Sequence, residues 1–344
     1  MKIIWLYLFK IYVNLGLFFY FKEIKIYNAN RLNKDKPVVL LSNHHNALLD
    51  ALLIAAKSTR FVYFLTRAGV FKKTLVSKFL KSLQMIPVYR IRDGWGSLAN
   101  NSAIFSYCSS LLNNKEVIAL FPEGNHNLNR TVRPLSKGFT RIVFETLKTF
   151  PEIDLELLPI GLNFQDAANF PDRCAMYYGT PVCARDYFSD GGHEDVRRLK
   201  ETIQAEISKL TTDIPLQDYE KTVTQLEVMQ VDFLNPSAVR ACIESGFKSC
   251  AVKQSNARNS WLMKLIKIGF VLCFCVPVLV WKYGVKPKIK ELEFMATFRF
   301  AVAITVAPIW LIFMTVILGN VVSWSLAFEV LTFSILMALC YVKA

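Results

Sequence analysis

A chain of 344 residues would suggest about two soluble domains, but 53% of the residues are hydrophobic and the mean hydropathy is positive, so a wholly water-soluble protein is excluded. The formal net charge is +14, yet no basic repeat, zinc finger or recognition-helix pattern accompanies it; nucleic acid is excluded, and anionic lipid headgroups are the better partner. Eight cysteines are scattered, and the closest pair, Cys273-Phe274-Cys275, lies inside an apolar run. They read as reduced thiols in a protein without a metal site, whose soluble part faces the cytoplasm.

In chain order, residues 3–21 are an apolar run interrupted by Lys10 and Asn14 and closed by Lys22. It is nearly long enough to span, so an interfacial or oblique helix competes with a spanning one. Lacking a small-residue cleavage site, residues 1–23 read as a retained membrane-associated helix. Residues 24–246 read as a soluble α/β domain. The runs "PVVLLS", "RFVYFL", "VIALFP" and "LELLPIGL" predict strands, and "GSLANNSAIFSYCSSLLNN" and "GFTRIVFETLKTF" predict helices between them. The implied fold class is α/β, a mixed sheet flanked by helices. Charged helical runs over 194–229 read as solvated helices packed on that domain.

Residues 247–344 read as a C-terminal membrane region. The stretch 268–281 is 14 residues long, carries Pro277 and is flanked by lysines on both sides, which suits a re-entrant or interfacial helix. If it spanned, Lys282 to Lys290 would lie opposite the soluble domain, against the positive-inside tendency. Residues 300–318 carry no charge and 321–342 only Glu329, predicting a transmembrane hairpin that turns at Gly319-Asn320.

The chemistry is concentrated in "LSNHHNALLD", residues 41–50. A strand ends at Ser42 and Asn46 is a good N-cap for the helix that follows, so His44 and His45 sit in the turn between them. From such a turn an imidazole can face a cleft while Asp50 reaches its Nδ1, fixing the tautomer and stabilising the imidazolium. Polar residues that merely cap and turn give the same spacing. Four further blocks follow in order. "MIPVYRIRDG" carries Arg90 and Arg92, "LFPEGNHN" carries Glu123 and Gly124, "RPLSKGFTRI" carries Lys137 and Arg141, and "LLPIGLNF" carries Pro159, with "YYGTPV" after it.

This ordered set resembles the lysophosphatidic acid and glycerol-phosphate acyltransferase family from about Lys36 to Pro181. The resemblance implies a membrane enzyme of phospholipid biosynthesis that moves a fatty acyl group from acyl-CoA or acyl-ACP to a hydroxyl of lysophosphatidate or glycerol 3-phosphate. No cofactor is needed beyond that co-substrate, and no covalent acyl-enzyme. It further implies that His44 or His45 is the general base with Asp50, that Arg90 binds the acceptor phosphate as a planar fork, and that Arg92, Lys137 and Arg141 are weaker candidates for the same pocket. Glu123 would bind the acceptor's hydroxyls or order nearby cations, Gly124 would permit the turn, and Pro159 would shape a strand end and the acyl-chain side of the cleft. Two departures stand out. The family's Thr or Ser, then Arg, after Pro-Glu-Gly is replaced by Asn125-His126-Asn127, where His126 either touches the headgroup or is a surface-turn residue. The strand alignment favours His44 as base with five residues before Asp50, whereas a spacing of four selects His45. Acylation of an amino lipid and a non-enzymatic membrane scaffold are the alternatives; a His-His-x-x-x-Asp condensation-type enzyme leaves Phe-Pro-Glu-Gly unexplained.

Overall fold

The computed structural model describes residues 2–89, 100–250 and 260–344. Helix α1 (Lys2–Tyr20) runs directly into strand β1 (Phe21–Tyr27), followed by β2 (Val38–Ser42), α2 (Ala47–Lys57), β3 (Val62–Arg67), α3 (Thr74–Ser82) and β4 (Met85–Val88). Next come α4 (Asn100–Asn113), β5 (Val117–Leu120), α5 (Gly138–Thr149), β6 (Glu156–Phe164), β7 (Asp172–Tyr178) and β8 (Val182–Cys183). Helices α6 (His193–Leu210), α7 (Tyr219–Val228) and α8 (Pro236–Glu244) close the α/β unit. The C-terminal region holds α9 (Ser260–Cys273), α10 (Cys275–Leu279), α11 (Met295–Val321) and α12 (Trp324–Lys343).

The strands form one mixed sheet in the order β1-β7-β6-β2-β5-β3-β4, with β8 also paired to β6. Strands β2 to β6 run parallel, whereas β7 and β8 are antiparallel to β6. The continuous apolar run "VVLLS" makes β2 a central strand because both faces are covered. Val38 and Leu40 enter one core with α1 and α2, while Val39 and Leu41 enter the other with α4, α5 and α6. Helices α7 and α8 carry a third, smaller core around Leu226, Val239 and Phe233.

The first core also takes in Ala296 and Phe300 of α11, so the C-terminal region docks on the sheet face. Gly16 of α1 marks the crossing, where a Cβ would lie 2.6 Å from Ile304. A buried Phe contributes about 1.5–3 kcal/mol, against about 0–1 for exposed ion pairs such as Arg197–Glu194; apolar packing therefore sets this docking. The Tyr20 hydroxyl donates to the Ala296 carbonyl at 3.3 Å, and Lys343 Nζ to the Phe21 carbonyl at 2.7 Å. These bonds bring the end of α1, the start of α11 and the end of α12 to one level.

Several boundaries differ from the sequence-based expectation. Strand β1 begins at Phe21, inside the segment read as the N-terminal helix, because Phe21 is buried beneath the sheet. The α11–α12 turn falls at Val322-Ser323 rather than Gly319-Asn320, and the Ser323 side chain caps α12 by accepting from Leu326 N. Cys242 and Cys250 are joined in a disulfide and are not free thiols: glycine and left-handed geometry at Gly246 and Phe247 fold the chain after α8 back onto that helix. Among the described residues three helices are long and apolar enough to cross a membrane, within 2–20, 292–321 and 324–343. A fourth would be the pair 261–273 and 275–288, bent by 95°, if it is one span.

Candidate active site

The site is built at the C-terminal end of β2. The Asn43 amide donates to the Leu162 carbonyl at 2.9 Å and accepts from Leu162 N at 2.8 Å, continuing the β2–β6 pairing through a side chain. That bond fixes where the strand stops. The next residue, His44, is held by its backbone, with its N–H on Glu123 Oε1 at 3.3 Å and its carbonyl accepting from Asn127 N at 3.2 Å. Its ring stacks on Phe121 with centroids 4.0 Å apart, and Nδ1 meets Asp50 Oδ2 at 2.8 Å.

Asp50 lies in the first turn of α2 with 0% of its side chain exposed. The same Oδ2 accepts from His45 N at 2.8 Å and Asn46 N at 2.7 Å. An anion here satisfies amides at a helix N-terminus. Asp50 therefore does the capping expected of Asn46, whose side chain makes no cap bond. The turn is strained: Ala47 has φ +43°, a left-handed conformation costing a non-glycine residue about 1–2 kcal/mol.

His45 points the other way. Its Nε2 donates to the Leu128 carbonyl at 2.6 Å, its ring lies nearly perpendicular to that of Phe164, and burial, reinforced by Arg130, pushes its pKa down to about 4. His44 keeps 15% of its side chain exposed. With Nδ1–H given to Asp50, its Nε2 is the nitrogen left with a lone pair.

Phe121, Pro122, Glu123 and Gly124 form the turn after β5, closed by Gly124 N on the Phe121 carbonyl at 3.1 Å. Gly124 has φ +74° and open space where a Cβ would be, so the requirement is backbone conformation and not room. The Glu123 side chain is 3% exposed; its Oε1 receives His44 N–H and its Oε2 receives Arg133 Nε–H at 2.7 Å. Burial raises the Glu123 pKa, and Arg133 opposes the rise. Arg133→Ala should push that carboxyl further up. A carboxyl with a raised folded pKa adds stability below its unfolded value of 4.5 and loses it as pH climbs through the folded value. The loss of thermal stability in detergent should thus be larger at pH 7 than at pH 4.5. At pH 7 it should sit at the low end of the about 3–5 kcal/mol for breaking a buried pair, because Arg133 is 25% exposed. Equal losses at both pH values would show that Arg133 does not offset the Glu123 charge.

His126 is half-buried, its ring 5.6 Å from that of His44 and 4.6 Å from that of Phe294, with Nε2 3.5 Å from Glu291 Oε2. The segment before α11 thus reaches the rim of the site. Lys137 and Arg141 are exposed at the start of α5, and among the described residues neither bonds to His44, Asp50 or Glu123. Arg90 and Arg92 lie outside the described residues. Pro159 is interior to β6, not at a strand end, between the residues paired with β8 and those paired with β7. A proline fits there because its missing N–H falls in a gap in the ladder.

The sequence reading passed over Arg133 and Arg130. Arg130 is half-buried, donates to the Phe164 and Gln165 carbonyls at 2.8 Å each and stacks 3.9 Å over Phe233, tying the loop after Gly124 to β6 and the α7–α8 unit. A cleft of about 690 Å³ lined by His45, Arg130, Asp166, Tyr219 and Phe233 lies behind this turn; His44 and Glu123 do not line it.

Residues 23–163 match the acyltransferase family model. An uncharacterized acyltransferase of Schizosaccharomyces pombe is 37% identical over 65 residues, 19% of this chain and 10% of that protein. Glycerol-3-phosphate O-acyltransferases 1 and 2 of Saccharomyces cerevisiae are 20% and 22% identical over 132 and 125 residues, 37% and 35% of this chain. The matched part spans 17% of each yeast glycerol-3-phosphate enzyme. Among solved structures, the 1-acyl-sn-glycerophosphate acyltransferase PlsC of Thermotoga maritima aligns with a TM-score of 0.40 and 17% identity, over 55% of this chain and 72% of that one.

Proposed function

Because residues 23–163 match the acyltransferase family model, we propose that this chain transfers a fatty acyl group from a coenzyme A or carrier-protein thioester to a hydroxyl of a glycerolipid precursor. Lysophosphatidate is the first acceptor to test and glycerol 3-phosphate the second. The observation that carries this reading is the His44–Asp50 pair at 2.8 Å. His44 Nε2 takes the acceptor's hydroxyl proton as that oxygen attacks the thioester carbonyl, and Asp50 holds the tautomer and stabilises the imidazolium. The tetrahedral adduct expels the thiolate, which receives the proton from His44. Glu123 and Arg133 position the His44 backbone. The apolar helices keep the enzyme at the membrane where an insoluble acceptor resides, and the lysines from Lys282 to Lys290, not the thiols, favour the cytoplasmic face for the catalytic domain.

The test incubates membranes containing the protein, and matched membranes with His44→Ala, with radiolabelled acyl thioester and each phosphorylated acceptor. Labelled phospholipid that depends on His44 supports the reading; no product with any glycerophosphate acceptor would favour an amino-lipid acceptor or a scaffold. Arg90 is assigned to the acceptor phosphate. Arg90→Lys keeps charge but loses the bidentate fork, so the acceptor KM should rise about tenfold, roughly one hydrogen bond to a charged group, while the donor KM stays put. An unchanged acceptor KM would remove Arg90 from that role.

A further inference from the structure

Helix α3 is amphipathic but has no buried residue. Leu75, Val76, Phe79 and Leu80 share one stripe and Thr74, Ser77, Lys78 and Lys81 the opposite one. The protein leaves most of the apolar stripe uncovered: Leu75 is 82% exposed, Phe79 47% and Val76 40%. Residues 67–81 contain Arg67, Lys72, Lys73, Lys78 and Lys81 and no acidic residue.

Helix α1 meets this element. Trp5 Nε1 donates to Ser82 Oγ at 3.2 Å, and the rings of Trp5 and Phe9 each lie 6.4 Å from that of Phe79. In the middle of α1, Lys10 bonds to the Ser58 carbonyl and Asn14 to the Ala56 carbonyl. The helix is therefore fastened along the α/β domain while Ile4, Leu8, Ile11 and Leu15, at 4-3-4 spacing, face outward. A helix held this way cannot stand across a bilayer without drawing the end of α2 in with it. Lying in the membrane plane satisfies both faces.

We propose that α3 is a second membrane-contacting element, seated beside α1 in the headgroup layer of an anionic phospholipid bilayer. Leu75, Val76 and Phe79 enter the acyl boundary, and Lys72, Lys73, Lys78 and Lys81 bind lipid phosphates. Continuity with the apolar face of α1 and the unbroken positive charge favour lipid over an acidic protein. Lysines near an anionic surface are each attracted to it, so the four together set the seating of α3 beside α1.

The experiment replaces the six free cysteines, keeps the Cys242–Cys250 bond, and introduces Leu75→Cys, Phe79→Cys or, as a control on the opposite side of the sheet, Glu201→Cys. Each is labelled with an environment-sensitive fluorophore and reconstituted into nanodiscs of phosphatidylcholine with or without phosphatidylglycerol, after folding is checked by thermal unfolding. The expected result is a blue shift and quenching by headgroup-proximal spin-labelled lipid at 75 and 79 in anionic discs, with none at 201. Gln at all four lysines should abolish both at 79. Water-like emission at 75 and 79 in anionic discs would overturn the proposal, as would signals equal in uncharged discs or appearing only when acidic carrier protein is added.

Discussion

Replacing His44 with alanine is expected to lower the acyl-transfer rate by on the order of 10²-fold or more, the usual cost of losing a general base, whereas His45→Ala should retain far more activity per folded molecule. The two residues are adjacent in sequence, but their rings face opposite sides of the turn. His44 presents Nε2 beside Phe121 with Nδ1 on Asp50, while His45 gives its Nε2 to the Leu128 carbonyl inside the protein. A buried imidazole with pKa near 4 is neutral at working pH, but its Nε2–H is spent on the Leu128 carbonyl, and the Asp50 carboxylate bonds the His44 ring and only the backbone of His45. His45→Ala should show its effect in stability, through a cavity and an unsatisfied Leu128 carbonyl, at about 1–3 kcal/mol. Initial rates normalised to folded protein separate the two. A larger rate loss in His45→Ala than in His44→Ala would transfer the base to His45.

The parts of this site that were legible in the sequence are local. Asn43, His44 and Asp50 lie within eight residues on a strand-turn-helix, and the strand run before them and the apolar helix after them fix their geometry before any tertiary contact is known. Burial on both faces made β2, β5 and β6 visible as apolar runs. Strand β1, "FKEIKIY", was missed because it is the outer strand of the sheet and carries three charges. The contacts that separate His44 from His45 were not legible. One of them ends on a backbone carbonyl, which every residue possesses, and the Glu123–Arg133 pair is closed by a loop without periodicity. Likewise, nothing local to His126 announces Phe294 and Glu291, which arrive from the far end of the chain through the docking of α11.

Asp50→Asn is expected to reduce the rate about as strongly as loss of the base, and to destabilise the turn as well. Its Oδ2 receives three donors, His44 Nδ1–H, His45 N–H and Asn46 N–H, so an asparagine amide group there would set donors against donors. Turning the amide to keep its oxygen in place puts the NH₂ at the Oδ1 position, which is buried and has no hydrogen-bond partner among the described residues. One unsatisfied buried donor costs about 1–3 kcal/mol, and the neutral oxygen no longer stabilises an imidazolium on His44. With the NH₂ turned toward His44 instead, Nδ1 becomes the acceptor, the tautomer inverts, and a proton on Nε2 removes the base. The discriminating measurement is the pH dependence of the rate. In Asp50→Asn the fall should persist at high pH, because deprotonating the imidazole does not restore its orientation. Recovery of near-parental rates above pH 8 would mean that Asp50 acts only through its charge and does not position the ring.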